Sequence, residues 1–260
     1  MFKHCVIAAA AIAAFGAARA RAGLDLTTPG ASGYMDGGFF EQGDVQPAGT
    51  GVFNTFLQIQ AQGAKQAIEQ GYNTDYRPAQ FDEKNDAPHN HSLLLADVPL
   101  VNIDGVEYRQ FLLDINQPKG GGSSDLLSLD SLQIFQSNDP NLHNYPTFGG
   151  EATQIFDLSA SGTSITLNAS LSHGSGQSDM IANIPASLFG NSDTYVTLYS
   201  EFGATVPAHG GFEEWGVGPA ITPTVTSVPL PRAATQGLIG LGLAVVLGAA
   251  RTRRPRCATA

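Results

Sequence analysis

Oxygen-bearing side chains near strand ends are the clearest candidates for binding chemistry in this sequence. Asp114 and Asn116 close an apolar alternating run, and Asp125 follows a glycine-rich loop. Calcium prefers carboxylate and carbonyl oxygens, often supplied by loops, so these three residues are candidate ligands of a structural calcium ion. Their spacing does not follow the EF-hand pattern, and solvated turn residues are the alternative interpretation.

Other reactive residue types give weaker indications. His89 and His91 would share one face of a strand and could hold zinc or copper with a third ligand, but they stand in a polar stretch typical of a loop. Glu213 and Glu214 would face opposite sides of a strand, whereas a glycosidase needs two carboxyl groups about 5 to 10 Å apart. Trp215 beside them is expected in the core.

No motif of a known catalytic centre is present. The sequence lacks a G-x-S-x-G elbow, and it also lacks H-E-x-x-H and the glycine motifs that bind nucleotides. We therefore expect a protein that is not an enzyme and has no cofactor other than the possible calcium ion.

The residues that would position these groups alternate between apolar and polar. A period of two predicts half-buried strands, and it occurs in residues 55–59, 101–103, 111–115, 127–134, 165–171 and 196–202. Asp104-Gly105 between two such runs predicts a hairpin with a type I′ turn. Helical periodicity is scarce and confined to residues 61–70 and 179–189. The expected fold class is all-β, with a β-sandwich or jelly-roll-like body.

The start of the chain has the features of a secretory signal peptide. Lys3 gives a basic start, the 14 residues from Cys5 to Ala18 are uncharged, and small-x-small sites place the cut after Ala20 or Ala22. The apolar run is shorter than the roughly 20 residues of a membrane span. Removal of residues 1–22 is therefore favoured over a retained anchor.

The end of the chain carries a second apolar segment. Residues 233–250 are uncharged, so they can just span a bilayer. Arginines that follow such a segment stay on the cytoplasmic side, which leaves the preceding body outside. The cluster comprises Arg251, Arg253, Arg254 and Arg256, and the segment is preceded by Val228, Pro229, Leu230 and Pro231.

The order of Val-Pro-x-Pro, apolar helix and arginine cluster resembles the PEP-CTERM sorting tail. Val228-Pro229-Leu230-Pro231 matches the Val-Pro-Leu-Pro variant rather than the commoner Val-Pro-Glu-Pro. The resemblance implies that an exosortase of a Gram-negative bacterium recognises these four residues and cleaves near them, while the arginines stop transfer. It also implies an inner-membrane intermediate, a final place at the cell surface or in the extracellular matrix, and an association with exopolysaccharide and biofilm. An ordinary C-terminal membrane anchor is the alternative.

Between the two ends we expect four regions. These are an irregular N-terminal segment at 23–50, a β-sandwich body at 51–217, an extended linker at 218–227, and the sorting tail at 228–256 with its transmembrane helix at 233–250.

Charge and cysteine content limit the functions that we expect of the body. All 23 acidic residues but only five basic residues lie between Asp25 and Glu214, which gives this part a formal charge of −18. Such a charge repels phosphates, so we expect no nucleic acid partner. Cys5 and Cys257 lie in the removable ends, so the body has no disulfide. We expect an exported, non-enzymatic surface or matrix protein; the alternative is a carbohydrate-binding or carbohydrate-active secreted β-sandwich.

Overall fold

Two β-sheets form the body of the protein. The computed structural model describes residues 23–45, 53–61, 67–118, 120–158, 162–172, 178–190 and 194–221. Within these ranges the chain forms short 3₁₀ helices and two seven-stranded sheets, sheet A and sheet B. The all-β class predicted from the alternation is therefore confirmed.

Sheet A is antiparallel apart from one short parallel pair. Its strands are β1 (Leu24–Asp25), β5 (Glu69–Tyr72), β6 (Leu93–Leu94), β9 (Leu126–Ser137), β10 (Thr153–Asp157), β11 (Ile165–Asn168) and β13 (Tyr195–Phe202). The order is β1-β11-β9-β13-β5, with β10 also paired to β9 and β6 to β13. The parallel pair is β1 with β11.

Sheet B is antiparallel throughout its described pairs. Its strands are β2 (Ser32–Met35), β3 (Gly38–Val45), β4 (Asn54–Ile59), β7 (Leu100–Ile103), β8 (Val106–Ile115), β12 (Ser178–Pro185) and β14 (Glu213–Val217). The order is β2-β3-β12-β8-β14-β4, with β7 also paired to β8. The 3₁₀ helices are Leu95–Asp97, Gly122–Asp125, Phe148–Gly150 and Ala186–Leu188.

The two sheets share one hydrophobic core. Leu113 and Trp215 from sheet B pack in the same buried cluster as Leu129 and Leu198 from sheet A. Trp215 is fully buried, and its indole Nε1 donates a hydrogen bond to Ser200 Oγ of sheet A at 3.0 Å. The indole thus buries a large apolar surface and also satisfies its polar atom, and the expectation that this residue lies in the core is confirmed.

The predicted hairpin joins β7 to β8. Ile103 pairs with Val106, which leaves Asp104 and Gly105 as the two turn residues. Their φ angles are 51° and 86°, and a type I′ turn requires positive φ at both central positions. The Asp-Gly prediction is confirmed in both place and backbone conformation.

Two stretches differ from the sequence-based expectations. Segment 23–50 was expected to be mostly irregular, with residues 38–41 as a candidate first strand, but its described part contains β1, β2 and β3, because Phe39 and Phe40 anchor a strand that pairs with β12. Weak helical periodicity at 179–189 was also misleading, because residues 178–185 form β12. That strand lies between β3 and β8 and is buried at almost every position, so it shows no polar alternation.

Candidate functional site

The predicted processing residues lie outside the described part of the chain. These are the signal cleavage residues Ala20 and Ala22, the motif Val228, Pro229, Leu230 and Pro231, and the arginines Arg251, Arg253, Arg254 and Arg256. The linker at 218–227 is described only as far as residue 221. The signal peptide, the sorting motif and the transmembrane helix all stay predictions.

The three calcium candidates have different surroundings. Asp125 is held in its own loop, where its Oδ1 accepts hydrogen bonds from the backbone N–H groups of Gly120 and Gly121. Asp114 is buried in β8, and Asn116 follows that strand with its Nδ2 buried and without a hydrogen-bond partner. Across the described ranges, no three His, Cys, Asp or Glu side chains are grouped as a metal site requires. The structure therefore gives the calcium expectation no support.

His89 and His91 have separate hydrogen-bond partners. His89 Nδ1 contacts the Asp86 carboxylate, and both side chains are about half exposed. The ring nitrogens of His91 contact the carbonyl oxygens of Ser92 and Thr55 at 2.8 and 3.1 Å. These contacts give each imidazole its own hydrogen-bond partners in or beside β4.

Adjacent glutamates of β14 point to opposite faces of sheet B, as their spacing predicts. Glu213 lies on the inner face with Trp215, two residues further along the strand. Glu214 lies on the outer face, where its Oε1 accepts a hydrogen bond of 2.7 Å from Gln58 Nε2. Because the two side chains point in opposite directions, this adjacent pair does not supply the two carboxylates that a glycosidase needs.

Glu213 meets a second glutamate between the sheets. Glu69 of β5 stands opposite Phe202 in sheet A, and opposite residues share a face, so Glu69 faces the core. The Glu69 and Glu213 carboxyl groups are close enough to interact, and the two residues are 1% and 0% exposed. Gln117 Nε2 donates a hydrogen bond of 2.7 Å to Glu213 Oε1. Burial first, then the neighbouring Glu69 carboxyl group, raise the pKa of Glu213 well above its ordinary value.

A second group of acidic side chains lies in one row on the outer face of sheet B. Glu214 is directly opposite Asp114 in the register, and Asp114 is close enough to Asp179 to raise the pKa of that carboxyl group. Asp179 also accepts hydrogen bonds from Ser172 Oγ and the Ile115 N–H. Burial is the largest cause that raises the pKa of Asp179 to about 7, and Asp114 raises it further.

The described lysine and arginine side chains of the body donate hydrogen bonds to neutral oxygens. Arg77 donates to backbone carbonyl oxygens, among them that of Thr74 at 2.7 Å. Lys84 Nζ donates to Gln60 Oε1 at 2.9 Å, and Arg109 donates to the Val98 carbonyl oxygen. These are the three basic residues of the body that the structure describes, and each of these bonds is to a neutral oxygen.

Aromatic side chains cover part of the outer face of sheet A. Tyr145 stacks on Tyr199 with ring centroids 4.0 Å apart, and Phe148 makes an edge contact with Tyr72 at 5.3 Å. Tyr72, Phe148 and Tyr199 are each less than 5% exposed. These rings pack on one another, so their faces are occupied and they do not form an open row for stacking sugars.

An open groove of about 430 Å³ lies beside β9 and β10. Asn138, Glu151 and Thr153 line it with an amide, a carboxylate and a hydroxyl group, and all three residues are exposed. Ile155 and Leu188 add apolar surface. The groove therefore combines polar groups that can bond to hydroxyls with apolar contacts.

Comparison with known proteins does not place this chain in a family. No family model matches the sequence, and no curated protein and no solved structure matches it either. In the residues that the structure describes, no helix has the length and apolar character needed to cross a membrane.

Proposed function

We propose that this protein is an exported, non-enzymatic surface or extracellular-matrix protein, sorted and processed by an exosortase. The observation that carries the proposal is the order of Val228-Pro229-Leu230-Pro231, an apolar segment and an arginine cluster at one end of the chain, with a signal-peptide pattern at the other. The compact unit that contains both sheets ends at Thr222, so a cut near Pro231 would leave that unit intact.

The proposed route has one membrane-bound step. The signal peptide directs export, the segment 233–250 holds the chain in the inner membrane, and the arginines keep its end in the cytoplasm. The exosortase is then a transient partner. Pro229 and Pro231 lack N–H donors and keep the backbone extended, a form that a protease cleft can recognise. The released body, a β-sandwich of jelly-roll-like type, then associates with exopolysaccharide at the cell surface or in biofilm matrix.

Intact mass of the protein recovered from its native host tests this proposal. We expect loss of about the first 20 residues and of everything after about Pro231. Replacement of Pro229 and Pro231 by alanine should leave the tail attached and the protein in the inner membrane. Pro223→Ala, in the preceding linker, is the matched control and should be processed normally. Normal processing of the double variant, or a native mass that retains the tail, contradicts sorting and leaves a plain membrane anchor.

Binding of carbohydrate is the second candidate function, and the groove beside β10 favours it. Sugar hydroxyls can bond to the Asn138 amide, the Glu151 carboxylate and the Thr153 hydroxyl, while their C–H faces contact Leu188. Co-sedimentation of the full chain with exopolysaccharide purified from the host tests it. We expect Glu151→Ala to reduce the bound fraction, and Glu107→Ala, an exposed acid in β8, to leave it unchanged. Equal loss in both variants would indicate a general charge effect.

A further inference from the structure

A pair of buried glutamates connects the two sheets near one end of the core. Glu69 is the first residue of β5 in sheet A, and Glu213 is the first residue of β14 in sheet B. Each carboxyl group has one oxygen, Oε2, that is buried and has no hydrogen-bond partner. Two carboxylates in this position repel each other and lose their hydration, and the bond from Gln117 offsets these costs only in part.

The surrounding elements carry further acidic groups. Asp114, on β8, raises the pKa of Glu213. Glu83 pairs with Ile59 of β4, the same residue that Glu213 faces in the register, and burial also raises the pKa of Glu83. The Gln117 amide, which donates to Glu213, is neutral. No contact of Arg77, Lys84 or Arg109 described above reaches the pair.

We propose that Glu69 and Glu213 share a proton between the sheets and act as a pH-dependent clasp, which is closed while the proton is bound and weakened when it is lost. A shared proton converts repulsion into a carboxyl–carboxylate hydrogen bond, as in other carboxyl pairs in proteins. Because the two glutamates bridge β5 and β14, proton loss weakens the contact between the two sheets near this end of the core.

The direction of the pH effect follows from proton linkage. A carboxyl group whose pKa is higher in the folded chain than in the unfolded chain holds its proton more tightly when folded. Its stabilisation is complete below the unfolded pKa of about 4 and is lost as the pH rises through the folded pKa. The protein should therefore lose stability as the pH rises above the unfolded pKa and through the raised pKa of Glu213.

Substitution of one glutamate by its amide removes the titration but keeps the shape and a hydrogen-bond donor. We expect Glu213→Gln in the full chain, unfolded by urea at each pH of a series from acid to alkaline, to show about half or less of the wild-type fall in denaturation midpoint. Glu69→Gln should act in the same direction. Glu107→Gln, an exposed acid on β8, is the matched control and should keep the wild-type fall.

A second measurement uses the unmodified protein and does not depend on how a variant folds. Infrared spectra of the full chain with labelled glutamate should contain the band of a protonated carboxyl group at neutral pH, and the band should disappear at alkaline pH. Absence of that band, or an unchanged pH dependence in both amide variants, overturns the proposal. Restoration of wild-type stability at alkaline pH by calcium chloride, without effect on Glu213→Gln, also overturns it, because the pair would then bind an ion instead of a proton.

Discussion

The inner and outer faces of sheet B both bury acidic side chains, but the two faces give them different partners. On the inner face, Glu213 meets Glu69 from the opposite sheet, among hydrophobic side chains and with only the Gln117 amide as a described donor. On the outer face, Glu214 and Asp179 accept hydrogen bonds from a side-chain amide, a hydroxyl and a backbone N–H. Two neighbouring glutamates in one strand thus have different chemistry, because alternate residues face different surroundings.

Burial alone therefore does not determine how an acid is stabilised. Both faces raise the pKa of their carboxyl groups, and desolvation is the largest cause for Glu213, Glu214 and Asp179 alike. Donors on the outer face partly oppose that shift, since hydrogen bonds to a carboxylate favour its charged form. The inner pair has less such compensation, so a bound proton matters most there.

Loss of the inner-face indole should have the largest effect on stability. Trp215→Ala leaves a cavity in the shared core and an unpaired Ser200 hydroxyl, so we expect a loss of about 3–5 kcal/mol in the free energy of unfolding. Val106→Ala, at a side chain of sheet B that is 48% exposed, should change it by about 0.5 kcal/mol or less. Urea denaturation of both variants checks this. Similar losses in the two would mean that the inner face is not the core-forming face.

Substitution of Asp179 in the outer row should change the pH dependence of stability more than it changes the maximum stability. The pKa of Asp179 is raised to about 7, so its stabilisation is present at about pH 4 and is lost as the pH rises to about 7. Asp179→Asn should flatten that part of the stability curve, while its amide can still bond to Ser172. Denaturation midpoints across the range check this, with exposed Asp97→Asn as the control. An unchanged curve would mean that a group other than Asp179 causes the change in stability over this pH range.

Loss of a single donor on the outer face should have a moderate effect. Gln58→Ala leaves the buried Glu214 carboxylate without its described side-chain partner, which should cost about 1–3 kcal/mol. Gln154→Ala, at an exposed position of β10, is the matched control and should be nearly neutral. Urea denaturation at neutral pH distinguishes them. A neutral Gln58→Ala would mean that water replaces the lost amide, and the contrast between the two faces would then be smaller.

Much of the fold could be predicted from alternation, since β8, β9 and β13 each present different surroundings to their two faces. The same rule correctly placed Glu213 and Glu214 on opposite faces, and the large apolar surface of the indole correctly predicted that Trp215 lies inside. Alternation failed for β12 and for the strands before Val45. Strand β12 is buried on both faces, so its residues do not alternate between apolar and polar. The others are short or depend on pairing with β12, which a local pattern does not reveal.

The acid pairs could not be predicted from local spacing. Glu69 and Glu213 belong to different sheets, and only the packing of the sheets brings them together. Asp114 and Asp179 are neighbours because β12 pairs with β8 in a particular register. The calcium prediction chose Asp114 for its oxygen-rich neighbours in the sequence, Asn116 and Asp125, whereas its described carboxyl neighbour, Asp179, lies in a distant segment. The calcium prediction therefore included one residue of the outer row, Asp114, but not its partners.

A substitution in the turn between β7 and β8 should have the smallest effect on stability. It tests what determines which face of sheet B each side chain of β8 occupies. A slip of β8 by one residue would exchange every side chain between the faces, and Gly105, with φ of 86°, favours the present register. Gly105→Ala should cost about 1 kcal/mol from backbone strain alone, because a Cβ there meets no atom within 4 Å. Gly190→Ala, at a glycine without positive φ, is the control. We expect the pKa of Asp179, measured by carboxyl NMR, to stay at about 7, because β12 and β14 also hold the register of β8. A fall of that pKa to the range of exposed aspartates would mean that this two-residue turn alone determines which face buries the acids.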